Sequence, residues 1–182
     1  MRLIVLFAIG VWVAACTTPS VFPPEVMKGV EINTFDVKAW KSQASSLSSA
    51  NPVAHKVELG GQIIRIIHKS DGVVLLVMEE PFTKYRVYGP VSTEPVDSFI
   101  YAIAFKGFPE ATMLRTGNKL VVVGTTDKAS TEILAGVPTV LPHLNAQCLH
   151  IWEINQAELQ RFPYGDMPSK AVRAEETFCD EG

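Results

Sequence analysis

The apolar positions of the chain fall into two kinds of stretch. The first is an uninterrupted run at residues 3–13 (LIVLFAIGVWV), preceded by Arg2. It is shorter than the roughly 20 apolar residues a membrane-crossing helix needs, and has the length of a secretory-signal core. The second kind begins at residue 52, where β-branched residues gather in short runs between turn residues. Residues 57–67 (VELGGQIIRII) predict a first strand. Leu59 and Ile64 are an odd number of positions apart, so strict alternation cannot turn both inward. A bulge or bend at Gly60-Gly61 is the expected remedy. Lys69-Ser70-Asp71-Gly72 is a turn signal, and the all-apolar residues 73–78 predict a second strand closing a hairpin. Residues 98–106 alternate, with Phe99, Tyr101, Ile103 and Phe105 on one face and Ala102 and Ala104 on the other. A turn at residues 115–119 leads to a fourth strand at 120–124. The last strand spans 146–154, with Leu149 and Ile151 opposite His150 and Trp152.

Between these strands the pattern weakens. Residues 79–97, with Pro81, Pro90 and Pro95, read as a loop with room for a small strand at 85–88. Residues 110–114 suit one helical turn. Residues 125–136 are polar and loop-like, with a helical turn near Glu132. Five strands in so short a span predict a mainly β fold: a small five-stranded OB-like, partly open barrel over residues 52–154. Closure removes exposed edges. A small β-sandwich is the alternative. Residues 16–51, with Pro19, Pro23, Pro24 and a serine-rich run at 42–49, read as a tether that holds the barrel off a membrane. Within it Val37 and Trp40 share a face of a short docking helix, which Phe35 fits less well. Residues 155–182 read as a short helix near 157–161 and a flexible tail containing Pro163, Gly165, Pro168 and a charged run at 173–176.

The apolar run ends in Val13-Ala14-Ala15-Cys16, which resembles the bacterial lipobox. Small side chains let the extended backbone enter a peptidase cleft, and the thiol is the nucleophile that takes a diacylglyceryl group. The expectation is a signal peptide at residues 1–15 and lipidation at Cys16, with a covalent diacylglyceryl group and an N-acyl chain and no other cofactor. Several acyl chains, each contributing about 0.8 kcal/mol per buried CH₂, hold a protein at a membrane. By resemblance to Gram-negative lipoproteins, Thr17 in place of an aspartate after the cysteine directs the protein to the outer membrane, its domain facing the periplasm. The expected partners are the membrane, through the anchor, and the machinery that processes and sorts lipoproteins. An envelope partner is not named by the sequence.

The formal net charge of −3 becomes −4 once Arg2 leaves, without the basic clusters of a nucleic-acid binder. Cys148 and Cys179 could pair in an oxidising compartment; otherwise Cys148 is a buried thiol and Cys179 a tail residue. No catalytic residues are assigned, since no G-x-S-x-G elbow occurs and the serines cluster in the tether. Glu79-Glu80 reads as a solvated strand end. His143, Cys148 and His150 match no standard zinc spacing, so no metal site is assigned. Tyr101 and Trp152 are the aromatic residues whose polar tips could reach a groove, and they form the candidate ligand face.

Taken in order, these pieces resemble the Slp family, the starvation-inducible outer-membrane lipoproteins of Gram-negative bacteria. The likeness rests on the lipobox ending at Cys16, Leu59-Gly60-Gly61, Gly107-Phe108-Pro109, the GNKLVVVG segment at 117–124 and Leu149-His150-Ile151-Trp152. It covers the chain to about residue 154. Gly136-Val137-Pro138-Thr139-Val140 replaces the tyrosine-rich approach to the final strand. The resemblance implies a lipid-anchored, barrel-like envelope protein, linked to starvation or stationary phase, with a structural or binding role and no enzymatic activity. A periplasmic glycan- or protein-binding module and, further off, an envelope hydrolase are the alternatives.

Overall fold

The computed structural model describes residues 20–32, 34–45, 53–82, 86–91, 99–159 and 171–180. Six strands carry the fold: β1 (Lys56–Lys69), β2 (Gly72–Glu79), β3 (Ile100–Lys106), β4 (Lys119–Leu134), β5 (Val137–Ile154) and β6 (Val172–Cys179). Helices are short: α1 (Pro24–Met27), α2 (Val37–Ser45) and α3 (Gln156–Leu159), with a 3₁₀ turn at Arg86–Tyr88 where a small strand was expected.

The strands run in the order β3-β2-β1-β4-β5-β6, and β3 also pairs with β5. That extra pairing is parallel and short, joining Ala102, Ile103 and Ala104 to His143, Leu144 and Asn145. It closes β1 to β5 into a ring. Beyond Asn145, β6 takes β3's place beside β5, pairing with residues 148–154. The barrel is therefore split along one side, between the end of β3 and β6. Alternation fills the interior: Val57, Leu59 and Ile63 from β1, Val73, Leu75 and Val77 from β2, and Tyr101, Ile103 and Phe105 from β3. Leu120, Val122, Leu149 and Ile151 complete it.

The phase problem in β1 is solved away from the glycines. A register shift lies between Ile63 and Arg65, so that Ile63 and Ile66 face the core while Ile64 and Ile67 face outward. Gly60 and Gly61 instead permit close approach. A Cβ on Gly61 would stand 2.2 Å from the Met78 carbonyl oxygen, and one on Gly60 would stand 2.7 Å from the Phe82 ring.

Both ends of the barrel are plugged. At one end the turn at residues 110–114 inserts Met113. Buried Asn118 fixes this turn, donating from Nδ2 to the Met113 carbonyl (2.8 Å) while its Oδ1 accepts from the Ile154 amide (3.0 Å). At the other end α2 inserts Trp40 against Phe99 and Tyr101, with ring centroids 6.2 and 6.0 Å apart. Asp36 caps α2 by accepting from the Ala39 amide at 2.9 Å. Phe35, one residue before the cap, packs on Trp40 at 5.7 Å. That is a hydrophobic staple, which explains why Phe35 lies off the helical face.

The outside of the barrel is covered too. Phe22 and Val26, from the segment expected to be tether, lie on the outer face of β4 and β5 against Val121, Val123, Cys148 and Trp152. On the far wall, β4 and β5 extend past the barrel as a hairpin arm, where a polar loop was expected. Its turn is Ala135-Gly136, both at positive φ (49° and 84°), as a type I′ hairpin turn requires. The arm lays Leu134 and Leu141 on the outward residues Val74, Leu76 and Ala102 of β2 and β3. This double covering explains why β2 is apolar on both faces. The tail expected to be flexible also departs from expectation. Strand β6 sends Ala174 and Phe178 toward the barrel core and leaves Arg173, Glu175 and Thr177 exposed.

Candidate functional site

Cys16 and the residues expected to form the signal peptide and the lipobox lie outside the described residues. No helix among the described residues is long and apolar enough to cross a membrane. The remaining candidates divide among four places.

Tyr101 and Trp152 do not form one face. Tyr101 is fully buried inside the barrel, its hydroxyl donating to the Gly60 carbonyl at 3.2 Å. Burial together with nearby Glu79 and Glu80 holds the phenol well above its ordinary pKa. Trp152 is buried on the outer side of the wall under α1, in a different cluster. Strand alternation separates them: β3 turns Tyr101 inward, whereas β5 turns Leu149 and Ile151 inward and Trp152 outward. Neither ring presents a surface to a ligand.

Cys148 stands directly opposite Cys179 on the adjacent antiparallel strand, and the two sulfurs are bonded at 2.05 Å. Cys148 is buried and Cys179 is exposed. His150 packs edge-on against Trp152 at 4.4 Å, is hydrogen-bonded through Nδ1 to Thr177 Oγ1 at 2.7 Å, and lies 3.8 Å from Glu175. Burial lowers its pKa, against the opposing pull of Glu175. His143, seven residues earlier on the same strand, faces Asp127 on β4 and is likewise lowered by burial. Among the described residues no group of three or more His, Cys, Asp or Glu side chains could hold a metal ion.

The third place is a set of buried charges under residues 80–82 and 86–91. Glu80, expected to be solvated, is buried and pairs with the fully buried Lys119 at 2.9 Å. Lys119 also donates to the Pro90 carbonyl at 3.2 Å. Glu58 is buried on β1 and pairs with Arg86, whose guanidinium stacks over the Phe82 ring at 4.7 Å. Desolvation raises the pKa of Glu58, with Arg86 opposing it, and lowers that of Lys119, with Glu80 opposing it. Desolvation and Glu80 raise Glu79. A carboxylate with a raised pKa is the raw material of a general acid. Here, however, Phe82 and Pro90 lie close over Gly60, between the two pairs, and each carboxylate is spent on a cation of the covering segment or of β4. The arrangement clamps residues 80–82 and 86–91 to the barrel. No sequence spacing announces it, because its members come from four separate segments.

The fourth place is the split in the barrel. Between the end of β3 and the end of β6 lies a groove of about 540 Å³, lined by Phe105, Phe108 and Pro109 on one side and by Thr177, Phe178 and Asp180 on the other. Phe108 is 65% exposed there.

Comparison with known proteins adds to this geometry. Neither a curated protein nor a solved structure matches the chain. A family model matches residues 13–177, starting at the first residue of Val13-Ala14-Ala15-Cys16 and reaching into β6, beyond residue 154 where the resemblance described above ends. The chain belongs to the outer membrane lipoprotein Slp family.

Proposed function

We propose that this protein is a non-enzymatic component of the cell envelope: a small β-barrel, lipidated at Cys16 and anchored to the periplasmic side of the outer membrane, acting through structural or binding contacts. One observation carries the reading. The surfaces by which a barrel of this kind takes a ligand are occupied by the chain itself. OB-like barrels bind oligosaccharides and nucleic acids across the face of strands 2 and 3, and here the hairpin arm covers that face with Leu134 and Leu141. The buried carboxylates are similarly committed to Arg86 and Lys119. Family membership supports the outer-membrane address, and the family likeness extends the reading to starved or stationary cells.

Intact-mass analysis of protein extracted from outer membranes tests the anchor. The expected species lacks residues 1–15 and carries a diacylglyceryl group and an acyl chain on Cys16; an unmodified chain in the soluble fraction would overturn it. Turnover of peptidoglycan or of ester substrates by the purified protein would overturn the non-enzymatic role. Protein level compared between growing and starved cells tests the link to starvation.

The groove at the split supports a second reading, a binding module for an envelope protein. It places the exposed ring of Phe108 beside two strand ends that do not pair with each other. Cross-linking from position 106, on the rim of the groove, in intact cells would capture such a partner, and adding Phe108→Ser would lose it while leaving cross-links from other positions unchanged.

A further inference from the structure

At Ser20 the chain is already docked on the barrel. The Ser20 hydroxyl accepts from the Phe22 amide at 3.1 Å, pinning the entry of the segment. Phe22 and Val26 are then buried on the outer face of β4 and β5. The Glu31 amide donates to the Lys56 carbonyl at 2.8 Å, and His55 Nδ1 meets the Glu31 carboxylate at 2.7 Å, fastening the other end to the start of β1. Four residues lie from Cys16 to Ser20, a reach of at most about 14 Å when fully extended. A globule of this size is roughly 35–40 Å across. An acyl group on Cys16 therefore cannot let the barrel turn an arbitrary side to the leaflet.

We propose that the outward side of residues 20–32, seated on the outer wall of β4 and β5, is a lipid-contact surface, held against the membrane by the short step from Cys16. This rests on the anchored reading above and adds an orientation to it. The tether expected over residues 16–51 is thereby replaced by a flush mounting. The exposed residues of the segment suit a headgroup layer: Pro23 before α1, Pro24 and Glu25 on it, then Lys28, close to Lys56, whose Nζ donates to the Lys28 carbonyl at 3.2 Å. Positive and negative side chains alternate there, so contact depends on reach and not on charge. The hairpin arm, packed on the β2–β3 wall, then points into the periplasm with Ile133, Val137 and Val140 exposed.

The test uses the full processed protein, its acylation verified by mass, in vesicles of phosphatidylethanolamine and phosphatidylglycerol. A benzophenone amino acid replaces Glu25, Lys28 or Val137 in turn. Lipid adducts at positions 25 and 28 should exceed those at 137 by roughly fivefold or more, given a step of at most about 14 Å. Equal yields, or a higher yield at 137, would overturn the orientation. Inserting twenty Gly/Ser residues between positions 19 and 20, with a root-mean-square span of roughly 25 Å, should erase the difference. A difference that survives the insertion would show that the short step does not set the orientation, and would sink the proposal. For the unsubstituted protein, acylation of the Lys28 amine by a water-soluble reagent should slow on vesicles relative to Lys128. Unchanged relative rates would count against the proposal. A chain without lipid on Cys16 would fail the anchored reading at the mass-analysis step, before orientation is measured.

Discussion

Gly61 lies tight against β2, and a larger residue there has nowhere to go. A methyl group there meets the Met78 carbonyl oxygen, which belongs to a strand in the middle of the sheet. At Gly60 the added methyl meets the Phe82 ring, whose own segment can shift. Gly61→Ala should therefore cost more than Gly60→Ala, with overpacking of about 1–3 kcal/mol for the former, read as a lower urea midpoint. His150 gives the stability a pH dependence with a definite sign. Its folded pKa is depressed, so the unfolded chain takes up a proton first as pH falls. Stability present above pH 6.5 is then lost as pH falls from there toward the folded value. His150→Gln should flatten that part of the melting-temperature profile, and a slope equal to the wild type's would show that His150 is not its source. The sequence names these two glycines readily but misassigns their task. Whether a glycine bends a strand or admits a neighbour depends on partners that only the pairing reveals.

At the scale of elements, the plug and the disulfide carry most of what the strands alone do not. Trp40→Ala should cost about 3–5 kcal/mol, as for other large buried aromatic residues, because the ring closes one end of the barrel against Phe99 and Tyr101. Phe35→Ala should cost less, since it removes the staple and spares the plug. Denaturant titration of both variants checks the ranking. Reduction of Cys148–Cys179, which are 31 residues apart, should lower stability by about 3–4 kcal/mol by the loop-entropy relation. A Cys148→Ala/Cys179→Ala variant should melt lower than the oxidised wild type and be indifferent to reductant. The alternation of β3 and the apolar, β-branched runs of β1 and β2 were readable because each strand turns an apolar face inward. The outer half of the β4–β5 arm was not, because Ala135-Gly136 lacks the Asn-Gly or Asp-Gly signature of its turn. Strand β6 hid behind its charges: VRAEETFC alternates around Ala174 and Phe178, too few apolar residues to stand out from a tail.

For the whole molecule, the ring of five strands followed from strand count and spacing, whereas the covering of that ring did not. The α1 segment, the residues clamped by the buried charges and the hairpin arm each cover one outer patch, and each depends on contacts remote in sequence. The family model, matching from residue 13 through 177, spans this covering as well as the barrel. The covering also separates duties. One wall receives the incoming chain, the opposite wall receives the arm, and the split between β3 and β6 is left with an exposed phenyl ring. The bond between β5 and the last strand has a further result. A protease site engineered between residues 159 and 171 would sever the backbone yet release nothing, because the C-terminal piece would stay riveted through Cys179 to its neighbour. On a gel the nicked protein would run as one band until thiol is added and as two afterwards, so cleavage there would go unnoticed on a non-reducing gel.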